Sequence, residues 1–452
     1  MQQTDYSLEQ IIISFKNFLS QGMPEQALAL LKSLHYADQA EAFGDLDEKE
    51  QDLILPLLDV QTTASILEEL EDHEVLEVVE DIPTDFLADV LDEMEPDEAA
   101  DLLGDLPAVQ ASELLLQMEG AKEVIPLLEY EDETAGGLMT TTYLALKKNS
   151  TTEQAIQFLR KVSPETDVPY YLYVTDENQQ LIGVVGLREL VINNPKTPIL
   201  EIMNPEVIKV QAGSDQEDVA RIMSRYDLTM IPVVNEREML VGVITHDDIL
   251  EVLEDEATED IYRLATVTDN ELEPESPVFQ HIKGRLPWLF INTMTAAFAA
   301  WVVSNYEASI DQVATLAIFQ SIVAGQGGNS GSQIVTMIVR SMALGKLEAK
   351  RLWQIMAKQT LVGIIQGLAV GSLVGLGTYL WRGNPYLGLV VGLALMGNMI
   401  LAGIIGTLTP IALKRFGQDP ALASPILVTA VTDSGGFFIF FTLATILLRY
   451  LT

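Results

Sequence analysis

Five long apolar stretches in the C-terminal part of the chain restrict its fold more than any other feature. The first runs from Leu286 to Val303 without a charged residue. Four more follow, at roughly Val313–Val339, Ile355–Leu380, Tyr386–Leu413 and Ala423–Leu448. An apolar stretch of about 18 or more residues is long enough to cross a bilayer as a helix. We therefore predict a transmembrane domain of five helices over residues 281–452.

Basic residues flank these stretches unevenly, and this pattern predicts an orientation. Loops on the cytoplasmic side of a membrane protein are enriched in Lys and Arg. Only Arg382 and Arg449 lie on one side of the predicted spans. On the other side lie Lys283, Arg285, Arg340, Lys346, Lys350, Arg351, Lys358, Lys414 and Arg415. The sequence thus predicts a multi-pass protein of the cell (inner, or plasma) membrane with a cytoplasmic N terminus and a C terminus outside.

The two parts of the 452-residue chain carry very different charges. Residues 1–280 contain 15 basic and 61 acidic residues, a net charge of −46, whereas residues 281–452 have a net charge of +6. A segment this acidic repels phosphate backbones, so we exclude nucleic acid as a partner. The chain has no cysteine, which excludes thiolate metal sites and favours a hard cation with oxygen ligands. Since no nucleophile–base pair or phosphate loop is evident, we do not expect an enzyme.

Residues 1–135 are predicted to form an all-α helical-repeat domain. Apolar positions recur at three- and four-residue spacing, as in Phe86–Leu91. Short breaks end the helices, among them Asp81–Pro83, Glu95–Pro96 and Asp105–Pro107. The domain has 35 acidic and 4 basic residues, and we expect most of these carboxylates only to solvate its surface.

Residues 136–249 contain the same order of elements twice. The predicted strands Tyr171–Thr175 and Ile231–Asn235 each follow an amphipathic helix, and each precedes a second strand and a helix. This repeated strand–helix–strand–strand–helix order resembles a tandem CBS-domain pair, an α/β module that commonly senses adenosine nucleotides or ions. The two copies would span residues 136–200 and 201–249.

The resemblance to CBS domains implies a nucleotide-contacting motif. In that family a Ser or Thr followed three residues later by Asp contacts ribose. The second copy has this motif as Thr245 and Asp248, whereas the first copy has Gly186 and Glu189 at the matching positions. An ordinary nucleotide site in the first copy therefore departs from the family pattern.

Residues 250–280 are predicted to be an acidic amphipathic connecting helix with a linker. Apolar positions such as Val252, Leu253 and Ile261 mark one stripe, and Leu250–Asp260 contains six acidic residues. Like charges within a Debye length of about 8 Å repel one another unless cations bridge them. This segment is therefore either a divalent-cation sensor or a solvated linker.

Three polar features interrupt the apolar stretches. Asp433 has apolar residues on both sides, and an ionisable residue at membrane depth normally faces a cavity or a cation, although an Asp can also join helices by hydrogen bonds. The segment Gly325–Gln333 either breaks the second span, as in transporters, or lets helices pack closely. Asn398 either lines a pore or makes an interhelical hydrogen bond.

Together these parts resemble the MgtE family of magnesium channels over essentially the whole chain. The features that carry the resemblance are the acidic helical N-terminal domain, Gly136–Met139 opening a CBS pair, and the acidic connecting helix before five spans. The most specific pieces are Gly327–Gly331 in the second span and Asp419–Pro425 leading to Asp433. The resemblance implies a multidomain homodimer in the lipid bilayer, with Mg2+ as the transported and sensed ion and ATP as a ligand of the CBS pair.

The resemblance also assigns residues to sites. In the pore it places Asp433, Asn329, Asn398, Asp419, Gly327 and Gly328. For divalent cations it implies Asp433 together with Asp97, Asp101, Asp215, Glu217, Asp227, Asp248, Glu251, Glu256 and Glu259. For a nucleotide it implies Tyr171, Arg188 and Glu189.

The expected function is magnesium uptake, closed when cytosolic Mg2+ binds between the N-terminal, CBS and connecting regions. Ions would bridge the carboxylates and hold the pore shut, and repulsion among uncovered carboxylates would open it. Two alternatives are a CBS-regulated anion channel and a membrane receptor without transport. The anion channel would require cationic or amide-lined sites at membrane depth, where the sequence offers Asp433.

Overall fold

The computed structural model describes residues 8–70, 72–79, 82–162, 171–268, 272, 274, 276–347 and 351–451. The chain divides into two units, residues 1–250 and 251–452. Lys350 of the basic loop and Asp81 of the predicted helix break lie outside the described residues.

The N-terminal part of the first unit is helical, as predicted. Asp47 and Asp59 cap two of its helices, since their carboxylates accept hydrogen bonds from the backbone N–H groups of Glu50 and Thr62, both at 2.9 Å. Phe15, Phe43 and other apolar side chains are fully buried between the helices. The helices are α1 (Leu8–Ser20), α2 (Pro24–Leu31), α3 (Tyr36–Gly44), α4 (Glu48–Ile54), α5 (Val60–Leu67), α6 (Asp72–Val79), α7 (Thr84–Glu93), α8 (Pro96–Asp105), α9 (Ala108–Gln117) and α10 (Ala121–Val124).

The rest of the first unit contains the predicted repeat. In each copy the first strand pairs in parallel with the second, which pairs antiparallel with the third, giving two three-stranded sheets. The first copy consists of β1 (Ala145–Lys147), α11 (Thr152–Val162), β2 (Tyr171–Thr175), β3 (Leu181–Gly186), α12 (Leu187–Ile192) and α13 (Ile199–Ile202). The second consists of β4 (Val210–Gln211), α14 (Gln216–Tyr226), β5 (Met230–Val234), β6 (Leu240–Thr245) and the beginning of α15 (His246–Leu264), a helix that continues into the second unit.

The two copies pack against each other through equivalent methionine–glycine contacts. A Cβ added to Gly242 of the second copy would lie 2.5 Å from Sδ of Met139, and one added to Gly183 of the first copy would lie 2.5 Å from Sδ of Met203. Each methionine precedes the first strand of one copy and packs on the third strand of the other. The tandem fold class is therefore confirmed at the level of packing as well as element order.

The second unit is a bundle of long helices. Its elements are α16 (Val278–Ser304), α17 (Glu307–Gln312), α18 (Leu316–Ala343), α19 (Leu352–Arg382), α20 (Pro385–Arg415), α21 (Pro420–Ile446) and α22 (Leu448–Leu451). Within the described residues, four helices are long and apolar enough to cross a membrane: α16, α19, α20 and the Ser424–Ile446 part of α21. The fifth predicted span corresponds to α18, which has 28 residues and carries the polar segment Gly325–Gln333.

The predicted break of the second span is wrong, because α18 runs through Gly325–Gln333 without interruption. The alternative of close packing is confirmed. A Cβ on Gly327 would lie 2.1 Å from Nδ2 of Asn398, and one on Gly331 would lie 2.4 Å from Cγ1 of Val428. The glycines therefore let α18 approach α20 and α21 closely instead of opening the helix.

Candidate ion pathway and carboxylate sites

Asp433 lies in the middle of α21, 13 residues from each end of this 27-residue helix. Its side chain is half-buried. At about 1.5 Å per residue, roughly 20 Å of helix separates Asp433 from either end. The carboxylate is therefore placed where the helix would cross the centre of a bilayer.

Asp419, the other predicted acidic pore residue, begins the same helix. Its Oδ1 accepts a hydrogen bond from the backbone N–H of Ala421 at 2.7 Å and so caps α21. Asp433 follows Asp419 by 14 positions, so the two residues lie about 21 Å apart along the helix axis. The structure does not bring these two carboxylates together within the protomer.

Asn398 is fully buried where α18, α20 and α21 meet. Its Nδ2 donates a hydrogen bond to the carbonyl of Val323 at 2.8 Å, so the predicted interhelical hydrogen bond is present. Its Oδ1 finds no hydrogen-bond donor in the described part of the chain. Gly327 and Gly436 make room for this amide, since an added Cβ on either would lie within 2.5 Å of Nδ2.

The other predicted pore residues differ in their surroundings. Gly328 faces α21, because an added Cβ would lie 3.9 Å from Cγ2 of Thr429. Asn329 is exposed on the surface of the protomer, two residues after the buried Gly327. A pore role for Asn329 stays a prediction that depends on what faces this surface.

Asp97 and Asp248 are two carboxyls of the first unit whose pKa values are raised by burial. Asp97, on α8, is 7% exposed, and its Oδ1 has no hydrogen-bond partner among the described residues. Burial raises the pKa of Asp97 well above its usual value, and the negative charges of Asp248 and Glu95 raise it further. A buried and a partly buried carboxylate that repel each other favour a proton or a cation between them.

Asp248 belongs to the first turn of α15. It accepts hydrogen bonds from the backbone N–H of Thr245 at 2.9 Å and from Oγ1 of Thr245 at 2.8 Å. Burial raises the pKa of Asp248, while these hydrogen bonds from Thr245 oppose the shift. The Thr–Asp motif found in the sequence is thus a helix cap, and the charge of its acidic member raises the pKa of Asp97.

The remaining acidic residues predicted to sense cations in the first unit lie at its surface. Asp101 is on α8, one turn after Asp97. Asp215 caps α14, and Glu217 pairs with Arg221 at 3.2 Å. Asp227 ends α14 in a left-handed conformation, with φ of 51°. Among the residues that the structure describes, no group of three or more His, Cys, Asp or Glu side chains is arranged to hold a metal ion.

The predicted ligands of the connecting region all lie on α15. Glu251 is exposed, and Glu256 is partly buried. Glu259 forms an ion pair with Arg263, which also pairs with Asp419. Arg263 was not predicted from the sequence, although its four-residue spacing from Glu259 is a recognisable signal.

Two of the predicted nucleotide residues, Tyr171 and Glu189, lie beside Gly186 at the end of β3. A Cβ on Gly186 would lie 2.4 Å from Oε2 of Glu189 and 3.7 Å from Cδ1 of Tyr171. Tyr171 is 49% exposed, and Arg188 is exposed as well. An aromatic ring and a guanidinium are thus available at the surface of the first copy.

Three known protein families match successive segments of the chain, in the same order as the N-terminal helical domain, the repeat and the long helices. Residues 34–133 match a family described as the MgtE intracellular N domain. Residues 135–193 and 199–255 match the CBS domain family. Residues 320–443 match a family described as divalent cation transporter.

Individual relatives extend this likeness over most of the chain. The magnesium transporter MgtE of Thermus thermophilus is 39% identical over 329 residues, which are 72% of this chain and 73% of that protein. The magnesium transporter MgtE of Bacillus subtilis is 30% identical over 439 residues, 97% of each. A solved cytosolic domain of the Mg2+ channel MgtE in complex with ATP has 35% identity and a TM-score of 0.50, covering 53% of this chain and 99% of that one.

Proposed function

Because the chain belongs to the MgtE family of magnesium transporters, we propose that it is a magnesium-selective channel that admits Mg2+ down its electrochemical gradient. The observation that carries this proposal is the half-buried Asp433 at the centre of α21. An ionised carboxylate at the middle of a membrane helix costs about 2.5–3.5 kcal/mol on insertion scales. A cation pathway offsets that cost.

A homodimer would place two Asp433 side chains around a two-fold axis. Magnesium gives up its water reluctantly and binds through one or two carboxylates with retained waters. Such a pair would attract the hydrated ion without holding it so tightly that conduction stops. The exposed Asn329 would then face the same axis. An anion channel is not proposed, because the matched family is described as a divalent cation transporter.

Cytosolic Mg2+ is proposed to close the channel. In the first unit, Asp97 is buried and Asp248 is partly buried, and burial raises the pKa of both carboxyls, that of Asp97 also through the charge of Asp248. A divalent cation relieves that repulsion, so it favours the arrangement in which these side chains lie together. A ligand shifts an equilibrium only by its differential affinity for the two states. The acidic face of α15 is proposed to contribute in the same way.

Two further features belong to the proposal. The N terminus is cytoplasmic and the C terminus lies outside, as the distribution of Lys and Arg predicts. ATP binds the CBS pair, which is supported by the ATP complex of the similar cytosolic domain and by the exposed ring of Tyr171 beside Gly186.

Magnesium uptake into proteoliposomes tests the pore assignment. The full chain is compared with Asp433→Asn, which preserves the shape of the side chain and removes its charge. We expect Asp433→Asn to reduce selective uptake at least tenfold, since the membrane site for the ion is lost. The matched control is Asp311→Asn on α17, an exposed carboxylate outside the long helices. Undiminished, selective uptake by Asp433→Asn would contradict the assignment.

A further inference from the structure

Arg263 lies between two carboxylates near the C-terminal end of α15. Its Nη1 donates to Oδ2 of Asp419 at 2.5 Å, and its Nη2 pairs with Oε1 of Glu259, one helical turn earlier. The side chains of Arg263, Asp419 and Glu259 are 32%, 25% and 17% exposed. All three belong to the second unit.

Both carboxylate oxygens of Asp419 have a defined partner. Oδ2 receives the guanidinium of Arg263, while Oδ1 accepts the backbone N–H of Ala421 and caps α21. The ion pair therefore joins the end of α15 directly to the first turn of the helix that carries Asp433. A planar guanidinium with several fixed donors suits two carboxylates at once better than a single ammonium does.

Leu264 adds an apolar contact at the same place. It packs against the buried cluster formed by Val335 and Val339 of α18 with Ala421 and Val428 of α21. Adjacent residues of α15 thus make a charged and an apolar contact with the start of α21. The attachment has two independent components.

We propose that Arg263 is a positioning residue that fastens α15 to the first turn of α21, and that Glu259 and Asp419 hold this guanidinium instead of a magnesium ion. The proposal rests on the proposed function, because it takes α21 as a pore helix and α15 as the helix that transmits closure. Two partly buried carboxylates need a compensating cation, and Arg263 supplies one from within the chain. A Mg2+ ion at this position would leave the guanidinium unpaired.

The attachment has a mechanical consequence. A connection that transmits movement must persist whether Mg2+ is present or absent. Arg263 meets this requirement because its charge does not depend on ion concentration. Movement of α15 would then pull on the capped first turn of α21, the same helix that carries Asp433.

The test uses the fact that the full chain contains no cysteine. Ala421 is fully buried in the cluster that contacts Leu264, so the rate at which a maleimide labels Ala421→Cys reports release of α15. We expect slow labelling with and without Mg2+ when Arg263 is present. Adding Arg263→Gln should accelerate labelling about fivefold without Mg2+, the loss expected for a partly exposed ion pair. Adding Mg2+ should slow it again, because two bare carboxylates become available.

Three further variants separate ion pairing from other effects. Asp419→Asn keeps an acceptor for the N-terminal cap and removes the charge, so it should accelerate labelling as Arg263→Gln does, and the two changes together should add little. Arg263→Lys should retain part of the protection. Arg285→Gln, on α16, is the control and should leave the rate unchanged.

Two results would overturn the proposal. One is an unchanged labelling rate in Arg263→Gln; the other is labelling of Ala421→Cys in the presence of Arg263 that accelerates when Mg2+ is removed. Labelling does not require transport, so it tests the attachment even if the chain fails to conduct Mg2+. Conversely, if the protein does not take up Mg2+ but Ala421→Cys is labelled slowly, the proposed function is contradicted and the attachment of α15 to α21 is still supported.

Discussion

Replacing Asp97 with Asn tests the role of the carboxylates Asp97 and Asp248 in the response to Mg2+. Asp97 is 7% exposed, lacks a hydrogen-bond partner for Oδ1 among the described residues, and is repelled by Asp248. Asn has the same shape without the charge, and its amide can donate to Asp248. We therefore expect Asp97→Asn to stabilise the magnesium-free protein and to weaken its response to Mg2+.

The expected stabilisation by Asp97→Asn can be calculated from the repulsion between two carboxylates. Because both are surrounded by protein and some water, an intermediate dielectric constant applies. Two unit charges about 5 Å apart in an effective dielectric constant of about 20 repel each other by about 3 kcal/mol. Partial protonation of the pair lowers this repulsion, so we expect Asp97→Asn to raise the free energy of unfolding by about 2 kcal/mol. For a unit of this size, each kcal/mol shifts Tm by roughly 2–4 °C. The Tm of magnesium-free Asp97→Asn should thus be higher by about 6 °C.

The assay is thermal unfolding of the full chain in detergent, once with EDTA and once with excess Mg2+. A ligand whose free concentration is 100 times its Kd stabilises the folded protein by about 2.7 kcal/mol. Asp97→Asn should lose most of this stabilisation by Mg2+. Asp89→Asn is the control, because Asp89 is an exposed carboxylate on the neighbouring helix α7. An unchanged gain from Mg2+ in Asp97→Asn, or no stabilisation in EDTA, would refute the reasoning.

Three other predictions concern pH, packing and nucleotide binding. Because burial raises the native pKa of Asp97 well above the usual aspartate value, the stabilising contribution of Asp97 is complete below that usual value and is lost as pH rises through the native pKa; unfolding scans without Mg2+ should show this fall, and scans with Mg2+ should show it weakened. Gly327→Ala should lower Tm, because its methyl group would lie 2.1 Å from Nδ2 of Asn398 and overpacking costs about 1–3 kcal/mol. Gly325→Ala is the control and should leave Tm unchanged, since its methyl group would have no neighbour within 4 Å. Equal Tm values for the two variants would contradict this prediction. Tyr171→Ala should weaken ATP binding about tenfold in calorimetry if the ring stacks on the base, and unchanged affinity would remove Tyr171 from the site.

Local patterns in the sequence predicted the secondary structure well, because the signals act over a few residues. The strand Tyr171–Thr175 has the predicted ends, and the doubled strand–helix order is present. The predicted connecting helix begins earlier than residue 250, since α15 is continuous from His246. Helix ends depend on capping groups such as Thr245, which hydrophobic periodicity does not show.

Contacts between distant residues could not be predicted from the chain. The charge of Asp248 acts on Asp97 across about 150 residues of chain, and Arg263 pairs with Asp419 across 156. The glycine-rich part of α18 was open to two interpretations, because the effect of a glycine depends on its neighbours in space. Asn398 occupies the room beside Gly327 and keeps the helix continuous. The cation sites remain predictions for the same reason.

Magnesium uptake into proteoliposomes with the internal Mg2+ concentration varied tests the central claim most directly. External Mg2+ and the membrane potential are held constant, and initial rates are measured for the full chain and for Asp97→Asn. We predict that uptake by the full chain stops at internal concentrations too low to reduce the gradient appreciably, while Asp97→Asn continues to conduct. A rate that follows the gradient alone, equally in both proteins, would contradict closure by cytosolic magnesium.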